Sequence, residues 1–478
     1  THINPQLVAE GDLAIDWTVS EDGTEYVFNL REGVTFHNGD PFTAEDVVYT
    51  YERSRDPEKS IHSGALANVV GVEALAPHKV LVKLAAPQAS LLVKTLERSS
   101  GRAMTIVSRG AIESMGLSEY GLKAVGTGPF KVVEHQLGSR MVLERFEGYW
   151  DQSRPMVDRI EITPIIDPEP LAAAVEAGDV QIVGGNPIAP ELVDRFESNP
   201  DINVSIVPGP GFQGIFVNPW RDPMKVTDFS KPLEELKTEP GFMVRLALAK
   251  AIDRDDYNRR AQFGRATPGF GTINPAMGFY YDPDIGETSE QRFDLEEARR
   301  LMAEAGFPGG EGFPVLKMLC TASTRRDCLV IGGILKRNLG IDIELDVKDF
   351  PVLIDDFQKM DFDLCRLGSG GDFDPDDGVV DWVVTTSKFN GRTRNVEEMP
   401  FGWFSDPEVD ALVAQQSITA DLEERKALVQ RANKISSDKV AQIFLYHPSD
   451  VLVTRTEVNF PEESRIPGLV DMDRVTLG

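Results

Sequence analysis

Apolar and polar residues alternate in two stretches near the start of the chain. Residues 26–30 (YVFNL) and 78–87 (HKVLVKLAAP) show this period of two, which predicts β-strands with one buried face. Residues 34–36 (VTF) continue the alternation after the short break at residues 31–33. We therefore expect residues 26–30 and 34–36 to pair as a hairpin around that break.

The residues that follow contain turn and helix-start signals. The dipeptide Asn38-Gly39 predicts a second tight turn. Thr43 with Asp46 three residues later is typical of a helix N-terminus, and we expect that helix to extend to about Tyr51. Together with the strands, these elements predict a small β-rich subdomain within residues 1–112, the N-terminal part of a first lobe.

Beyond residue 112 the pattern changes to alternating strands and helices. An apolar run at residues 160–166 leads into a helical pattern at residues 171–178 that ends on a glycine, and residues 180–183 (VQIV) follow as a strand. This order predicts an α/β core with a mixed or parallel sheet over residues 113–217.

The same alternation restarts at residue 218. Residues 242–254 and 295–306 have helical spacing, and three strands follow as LKMLC, IDIELDV and DFDLCRL. We interpret residues 218–443 as a second α/β lobe, and residues 444–478 as a return to the first lobe. A first lobe built from both ends of the chain implies two crossing strands that act as a hinge.

Length and charge exclude several classes of protein. The 478 residues are too many for one compact core. A formal charge of -28 would repel phosphate backbones and anionic membrane surfaces, which argues against nucleic-acid and lipid-surface roles. No apolar run approaches the roughly eighteen residues of a membrane-spanning helix. The first residue is Thr1 instead of Met, which a processed export signal explains, as would a trimmed chain.

The residue types that carry chemistry do not form a recognisable catalytic or metal motif. The six His residues have no metal-ligand spacing, and residues 209–214 match G-x-G-x-x-G but continue into a strand instead of a helix. Of Cys320, Cys328 and Cys365 at least one is unpaired; a Cys320–Cys328 bridge is an alternative to three buried thiols. We expect no metal site, no cofactor and no enzyme.

Four segments, in this order, closely resemble the family 5 extracellular solute-binding proteins. They are residues 31–47 (REGVTFHNGDPFTAEDV), 126–150 (GTGPFKVVEHQLGSRMVLERFEGYW), 244–254 (VRLALAKAIDR) and 361–377 (DFDLCRLGSGGDFDPDD), and the tail VDMDRVTL matches as well. The resemblance runs from about Asp12 to the C-terminus. Before Asp12, only eleven residues stand in place of a strand-bearing segment of the family. Either residues are absent around Val8–Ala9 or the chain is shortened there, so the family's N-terminal ligand contacts are not carried over.

The resemblance implies both a fold and a function. The implied fold is α/β: a two-lobed, type II-like periplasmic-binding-protein fold with a hinge of two crossing strands and an extra β-rich subdomain. The implied function is that of a monomeric receptor of an ABC importer in the periplasm, or anchored outside a Gram-positive cell. It would capture a small zwitterionic solute, such as a short peptide or amino-acid derivative, in the interlobe cleft by hinge closure and deliver it to the permease subunits. The alternatives are an oligosaccharide, an amino-acid–sugar conjugate, a nickel complex, or a secreted hydrolase on the same fold.

Two charged residues of the segment GSGGDFDP and its strand match ligand contacts of the relatives. Asp372 matches the carboxylate that captures the ligand's α-ammonium in peptide-binding relatives; the alternative is that it caps the following turn. Arg366 matches an Arg that pairs with a ligand carboxylate in oligopeptide-binding relatives, and the alternative is an internal ion pair. Gly368, Gly370 and Gly371 would let a ligand approach the main chain.

The remaining candidates are aromatic or polar residues expected to face the ligand, each with a core or surface role as the alternative. They are Phe350, which matches an aromatic wall of the pocket in peptide binders, and Phe373, Phe212, Gln213, Tyr446, His447 and Arg325, the last beside Arg326. Ser369 stands where relatives often have Trp, and the lack of that ring would enlarge the pocket or make it more polar. Asp374 and Asp376 are expected to be structural.

Overall fold

The computed structural model describes residues 1–4, 8–60, 63–96, 104–184, 188, 190–371, 373–387, 390, 401–461, 465 and 470–478. The chain divides into two compact units. Unit 1 contains Thr1–Ile206 together with Val451–Gly478, and unit 2 is the continuous stretch Val207–Asp450.

The described residues form short strands and helices throughout. The strands are β1 His2–Ile3, β2 Ala9–Glu10, β3 Ala14–Val19, β4 Glu25–Leu30, β5 Val69–Ala76, β6 Lys79–Leu84, β7 Phe130–Gln136, β8 Arg140–Arg145, β9 Arg159–Ile162, β10 Ile182–Val183, β11 Ile202–Pro208, β12 Phe212–Val217, β13 Thr267–Pro268, β14 Leu316–Cys320, β15 Ile343–Val347, β16 Leu364–Ser369, β17 Ile443–His447, β18 Ser449–Arg455, β19 Val458–Asn459 and β20 Thr476–Leu477. The helices are α1 Ala44–Ser54, α2 Arg109–Met115, α3 Leu117–Tyr120, α4 Pro168–Ala177, α5 Pro190–Glu197, α6 Leu233–Leu236, α7 Pro240–Lys250, α8 Arg254–Ala261, α9 Ile285–Thr288, α10 Leu295–Glu304, α11 Arg325–Leu339, α12 Phe350–Gln358, α13 Pro375–Val379, α14 Pro407–Ile418 and α15 Leu422–Asp438.

Unit 1 begins with a four-stranded antiparallel sheet in the order β3-β4-β6-β5. Both strands predicted from alternation are present, as β4 and β6. The predicted hairpin between residues 26–30 and 34–36 is wrong, because both edges of β4 are already paired, with β3 and with β6. A strand has only two hydrogen-bonding edges. Thr35 instead forms an isolated bridge with Pro41.

The predicted turn and helix start that follow are confirmed. Gly39 has a φ of +90°, and its backbone N–H donates to the Phe36 carbonyl. Thr43 and Asp46 form a capping box, in which the Thr43 backbone N–H donates to Asp46 Oδ2 at 2.9 Å. The helix α1 continues to Ser54, slightly beyond the predicted end.

The strand–helix–strand predicted in the rest of unit 1 is present as β9, α4 and β10, and α4 ends at Gly178, which has a φ of +81°. Its two strands lie in different sheets, β7-β8-β9 and β10-β18-β11. The prediction that they share a mixed or parallel sheet is therefore wrong. The partner of β10 is β18, an antiparallel strand from the C-terminal part of the chain, which local periodicity does not reveal.

Unit 2 is organised around a mixed six-stranded sheet in the order β13-β17-β12-β16-β14-β15. The three strands predicted within this lobe are confirmed as β14, β15 and β16, with β14 parallel to both of its neighbours. The helical pattern at residues 242–254 is divided: α7 ends at Lys250, and Asp253 starts α8 by accepting the N–H groups of Asp255 and Asp256. One large apolar core covers this sheet.

The chain passes from one unit to the other at positions different from the predicted ones, 217/218 and 443/444. The chain enters unit 2 at Val207 and leaves it after Asp450, within β11 and β18. Consequently β12 and β17 are neighbouring interior strands of the unit 2 sheet. Of the helices described, none combines the length and the apolar character needed to cross a membrane.

Candidate functional site

The segment Gly368–Gly371 lies at the end of β16, beside β12. Phe212 is paired with Ser369, and Gln213 with Gly368. A Cβ added to Gly368 would lie 2.2 Å from the Phe212 carbonyl oxygen. The Gln213 amide donates to the Ser369 carbonyl at 3.3 Å, so Gln213 also contributes to the packing of these two strands. The segment is thus held closely against its neighbour strand.

Arg366 lies two residues before Gly368 and is bound inside unit 2. Its guanidinium donates to Asp327 Oδ2 through Nη2 at 2.7 Å and through Nε at 3.1 Å. Nη1 donates to Gln213 Oε1 at 2.8 Å, and Nη2 also donates to the Tyr446 hydroxyl at 2.9 Å. Of the two roles that the sequence left open for Arg366, the geometry fits the internal ion pair.

The electrostatics of this network favour a permanently charged Arg366. Burial disfavours the guanidinium cation, but Tyr446 and Asp327 outweigh burial and raise the pKa of Arg366 above its usual value. Burial, assisted by the Asp327 charge, raises the pKa of Tyr446 to about 12. Tyr446 therefore stays a neutral hydroxyl and Arg366 stays a cation at neutral pH.

Three aromatic residues expected to face the ligand are buried in unit 2, which fits the core alternative, and their contact with a ligand stays a prediction. Phe212 packs edge-on against Trp382 and Phe444. Tyr446 is held by the Arg366 network. His447 is 1% exposed, and its Nδ1 lies 3.0 Å from the Gly211 carbonyl oxygen.

Phe373 is likewise buried, with 7% of its surface exposed. Arg325 is exposed at the first turn of α11, and the neighbouring Arg326 lies over the Phe263 ring at 5.0 Å. Asp372, predicted to bind the ammonium group, lies outside the described residues, so its role stays a prediction.

Asp374 and Asp376 belong to a buried cluster with Arg425, which agrees with their expected structural role. Arg425 donates to both Asp374 oxygens, at 2.6 and 3.0 Å, and to Asp376 Oδ1 at 3.3 Å. Gln416 donates to the same Asp376 oxygen at 2.7 Å. Asp374 also accepts the Asp376 backbone N–H and so caps α13. The segment after residue 372 is therefore anchored firmly to α15.

A cavity of about 270 Å³ lies in unit 2 beside the end of β16. The side of α12 contributes Phe350, Ile354 and Phe357, and the segment Leu367–Gly370 forms another wall. Gln358, Asp381 and Trp382 complete the lining. Phe350 and Gly370, two of the candidates from the sequence, thus meet at one cavity, whereas Phe212, Tyr446 and His447 do not line it.

Sequence reasoning missed Ile354, Phe357, Asp381 and Trp382. A signal for the first two was present, because Phe350, Ile354 and Phe357 follow the helical spacing of four and three residues and so share one face. Asp381 and Trp382 have no comparable local signal. They reach the cavity only through the tertiary packing of the segment after α13.

A second cavity, of about 290 Å³, lies in unit 1. The sheet contributes Phe28, Leu30 and Val80 to its lining, and Trp150 closes another side. Asp12 has the only ionisable side chain among the described residues that line it, apart from the phenol of Tyr149. Within the described part of the chain, no group of His, Cys, Asp or Glu residues is placed to hold a metal ion. The three cysteines are buried free thiols.

Comparison with known proteins identifies one family. The family described as "Bacterial extracellular solute-binding proteins, family 5 Middle" matches residues 9–391. The glutathione-binding protein GsiB of Escherichia coli (strain K12) is 30% identical over 311 residues, which cover 64% of this chain and 55% of GsiB. The chain therefore spans little more than half the length of this relative.

Two solved structures have the same fold. NikA from Brucella suis, in complex with Fe(III)-EDTA, superposes with a TM-score of 0.82 at 23% identity, over 100% of this chain and 93% of NikA. The ABC transporter-associated periplasmic binding protein DppA from Helicobacter pylori, in complex with the peptide STSA, gives a TM-score of 0.74 at 21% identity, over 100% of this chain and 91% of DppA. These likenesses confirm the predicted α/β periplasmic-binding-protein fold.

Proposed function

This chain belongs to the family 5 bacterial extracellular solute-binding proteins, and from that membership we propose that it is the solute-binding receptor of an ABC importer. The solute proposed is a short peptide or an amino-acid derivative, delivered to the permease subunits of the importer. The periplasm, or the outside of a Gram-positive cell, is the corresponding location. The relatives that match are named as binding proteins, which supports reversible capture without chemical change of the solute.

The observation that carries the proposal is the cavity beside β16. It combines an apolar lining with small residues at the end of a sheet strand, the arrangement in which α/β proteins present ligands. DppA, which shares the fold, holds the peptide STSA. The proposed solute is held at its ammonium end by Asp372. Because Arg366 is engaged with Asp327, Arg366 is not assigned to the solute carboxylate, and that carboxylate has no assigned partner.

Native mass spectrometry of the protein purified from its own host tests the proposal, because tight solutes co-purify. Titration calorimetry with a panel of di- to tetrapeptides, glutathione, an oligosaccharide and a nickel–histidine complex then ranks the solute classes. We expect a peptide or amino-acid derivative to bind with a micromolar Kd, which corresponds to about -8.2 kcal/mol. Binding of the sugar or nickel complex alone would overturn the solute class, and turnover of any member would overturn the receptor function.

Asp372→Ala provides the residue-level test of the same proposal. We expect it to weaken binding of the peptide found above by about 10- to 150-fold, since a charge-assisted hydrogen bond of roughly 1.5–3 kcal/mol is lost, while the melting temperature of the free protein stays nearly unchanged. Retention of full affinity would show that Asp372 is not the ammonium partner.

A further inference from the structure

The glycines at the end of β16 differ in what a side chain would meet. A Cβ on Gly368 would collide with the Phe212 carbonyl, and Gly371 has a φ of +81° with Pro210 C only 2.2 Å from such a Cβ. Packing and backbone conformation therefore account for both residues. Around Gly370, no described atom lies within 4 Å of an added Cβ, and its φ lies outside the left-handed region. Nothing in the described protein requires a glycine there, and Gly370 is one of the residues that line the cavity.

The lining of this cavity is mostly apolar. Phe350, Ile354 and Phe357 line it from α12, and Trp382 and Leu367 add further apolar surface, while Gln358, Ser369 and Asp381 are its polar members. Phe350 lines the cavity although 58% of its surface is exposed. Covering such a ring with an apolar ligand group removes it from water, which favours binding.

The described lining of the cavity disfavours an anionic group. Asp381 carries the only formal charge among the described lining residues, and it is already engaged within the protein. Arg366 does not line the cavity: successive side chains of a strand point to opposite faces, and its neighbour Leu367 occupies the cavity side. A carboxylate placed here would lose its hydration without gaining a cation from the described lining residues.

From these observations we propose that the cavity receives one uncharged apolar side chain of the solute, and that Gly370 sets the largest side chain that fits. The proposal rests on the peptide-binding function proposed above. A volume of about 270 Å³ is below the roughly 300–1,000 Å³ of pockets that enclose a whole drug-sized ligand. The cavity is therefore suited to one group of the solute instead of the entire molecule.

Calorimetry with tripeptides tests this assignment. Leu, Phe, Glu or Ala is placed in turn at each of the three positions, and the peptides are titrated into the natural protein and into Gly370→Val. We expect one position at which Leu and Phe bind at least tenfold more tightly than Glu, a difference of about 1.4 kcal/mol. At that position Gly370→Val lowers the affinity for the Phe peptide at least tenfold, because the added methyl groups occupy the space of the ring. The affinity for the Ala peptide should change by less than about threefold.

Gly333→Ala is the matched control for the smaller variant Gly370→Ala, because Gly333 is an exposed glycine of α11 with no described atom within 4 Å of an added Cβ. If Gly370→Val does not melt cooperatively, Gly370→Ala takes its place with the Phe peptides. Peptides that bind without a position-specific apolar preference, or Gly370 variants that behave like Gly333→Ala, overturn the subsite and leave the proposed function intact. If no peptide binds the natural protein, the proposed peptide solute and the subsite are both wrong.

Discussion

Arg366 illustrates how burial decides the role of a charged residue. A guanidinium that is 2% exposed needs an anion and further hydrogen-bond acceptors, and Asp327, Gln213 and Tyr446 supply them. The sequence could not choose between a ligand contact and an internal pair, because Asp327 lies 39 positions away on α11. The two roles differ in a measurable way, since an internal pair affects folding and a ligand contact affects binding.

We predict that Arg366→Met lowers the free energy of unfolding, measured in urea, by about 3–5 kcal/mol, because Asp327 is left buried without its cation. The double variant Arg366→Met/Asp327→Leu removes both charges and should be less destabilised than Arg366→Met alone. If Arg366→Met kept full stability but lost solute affinity, the guanidinium would instead be a ligand contact.

The buried imidazole of His447 predicts a dependence of stability on pH. Burial lowers the pKa of His447 to about 4, although the Gly211 carbonyl partly opposes this. The unfolded chain, with a pKa near 6.5, then binds the proton more readily than the folded protein. The contribution of His447 to the free energy of unfolding is fully present above about pH 6.5. It is lost as the pH falls towards 4, by roughly 3 kcal/mol in total.

Urea unfolding of the natural protein and of His447→Gln at pH 7, 6, 5 and 4 measures this contribution. The variant should lose less stability between pH 7 and 4 than the natural protein does. His135→Gln, on β7 of unit 1, serves as the control and should follow the natural protein. Identical pH profiles for all three proteins would contradict the prediction.

Among the elements, β16 connects the fold to the cavity. Its C-terminal half contributes to the cavity wall, while its edge packs closely against β12 at Gly368. The sequence predicted the strand and the importance of the glycines, but assigned all three to ligand approach. The structure divides them: Gly368 and Gly371 are required by chain packing, and only Gly370 borders open space.

This division predicts that the same substitution affects stability differently at Gly368 and at Gly370. Gly368→Ala should lower the free energy of unfolding by about 3 kcal/mol, the upper range for overpacking, because its Cβ meets a carbonyl oxygen of β12. Gly370→Ala should change it by less than about 0.5 kcal/mol. Thermal unfolding monitored by circular dichroism compares the two, and equal stabilities would show that β16 and β12 are less tightly packed than the structure indicates.

Local signals and long-range pairings differ in what the sequence reveals. The capping box of Thr43 and the strands β14 to β16 were predictable because they depend on neighbouring residues. The partners of β4 and β10 were not, because β6 and β18 come from distant parts of the chain. The cavity follows the same rule: Phe350 and Gly370 were candidates from the sequence of their own segments, whereas Trp382 reaches the cavity only through tertiary packing.

At the scale of the whole molecule, one unit is formed by a single continuous stretch of chain and the other by two separate stretches. Unit 2 is a single stretch, Val207–Asp450, with its own sheet and a large apolar core. Unit 1 needs both ends of the chain, since β18 pairs with β10 and β11, and Val453 belongs to the core formed with α4 and α5.

Expressed alone, the fragment of residues 207–450 should therefore fold, because it retains every residue of its core and all six strands of its sheet. We expect one cooperative thermal transition and protection of β12, β14 and β16 amides from hydrogen exchange. The control is the fragment of residues 1–450, which keeps unit 2 but lacks most of β18 and all of β19 and β20. In that fragment unit 2 should stay protected while the amides of β10 and β11 exchange freely. A non-cooperative or aggregated fragment 207–450 would contradict the independence of unit 2.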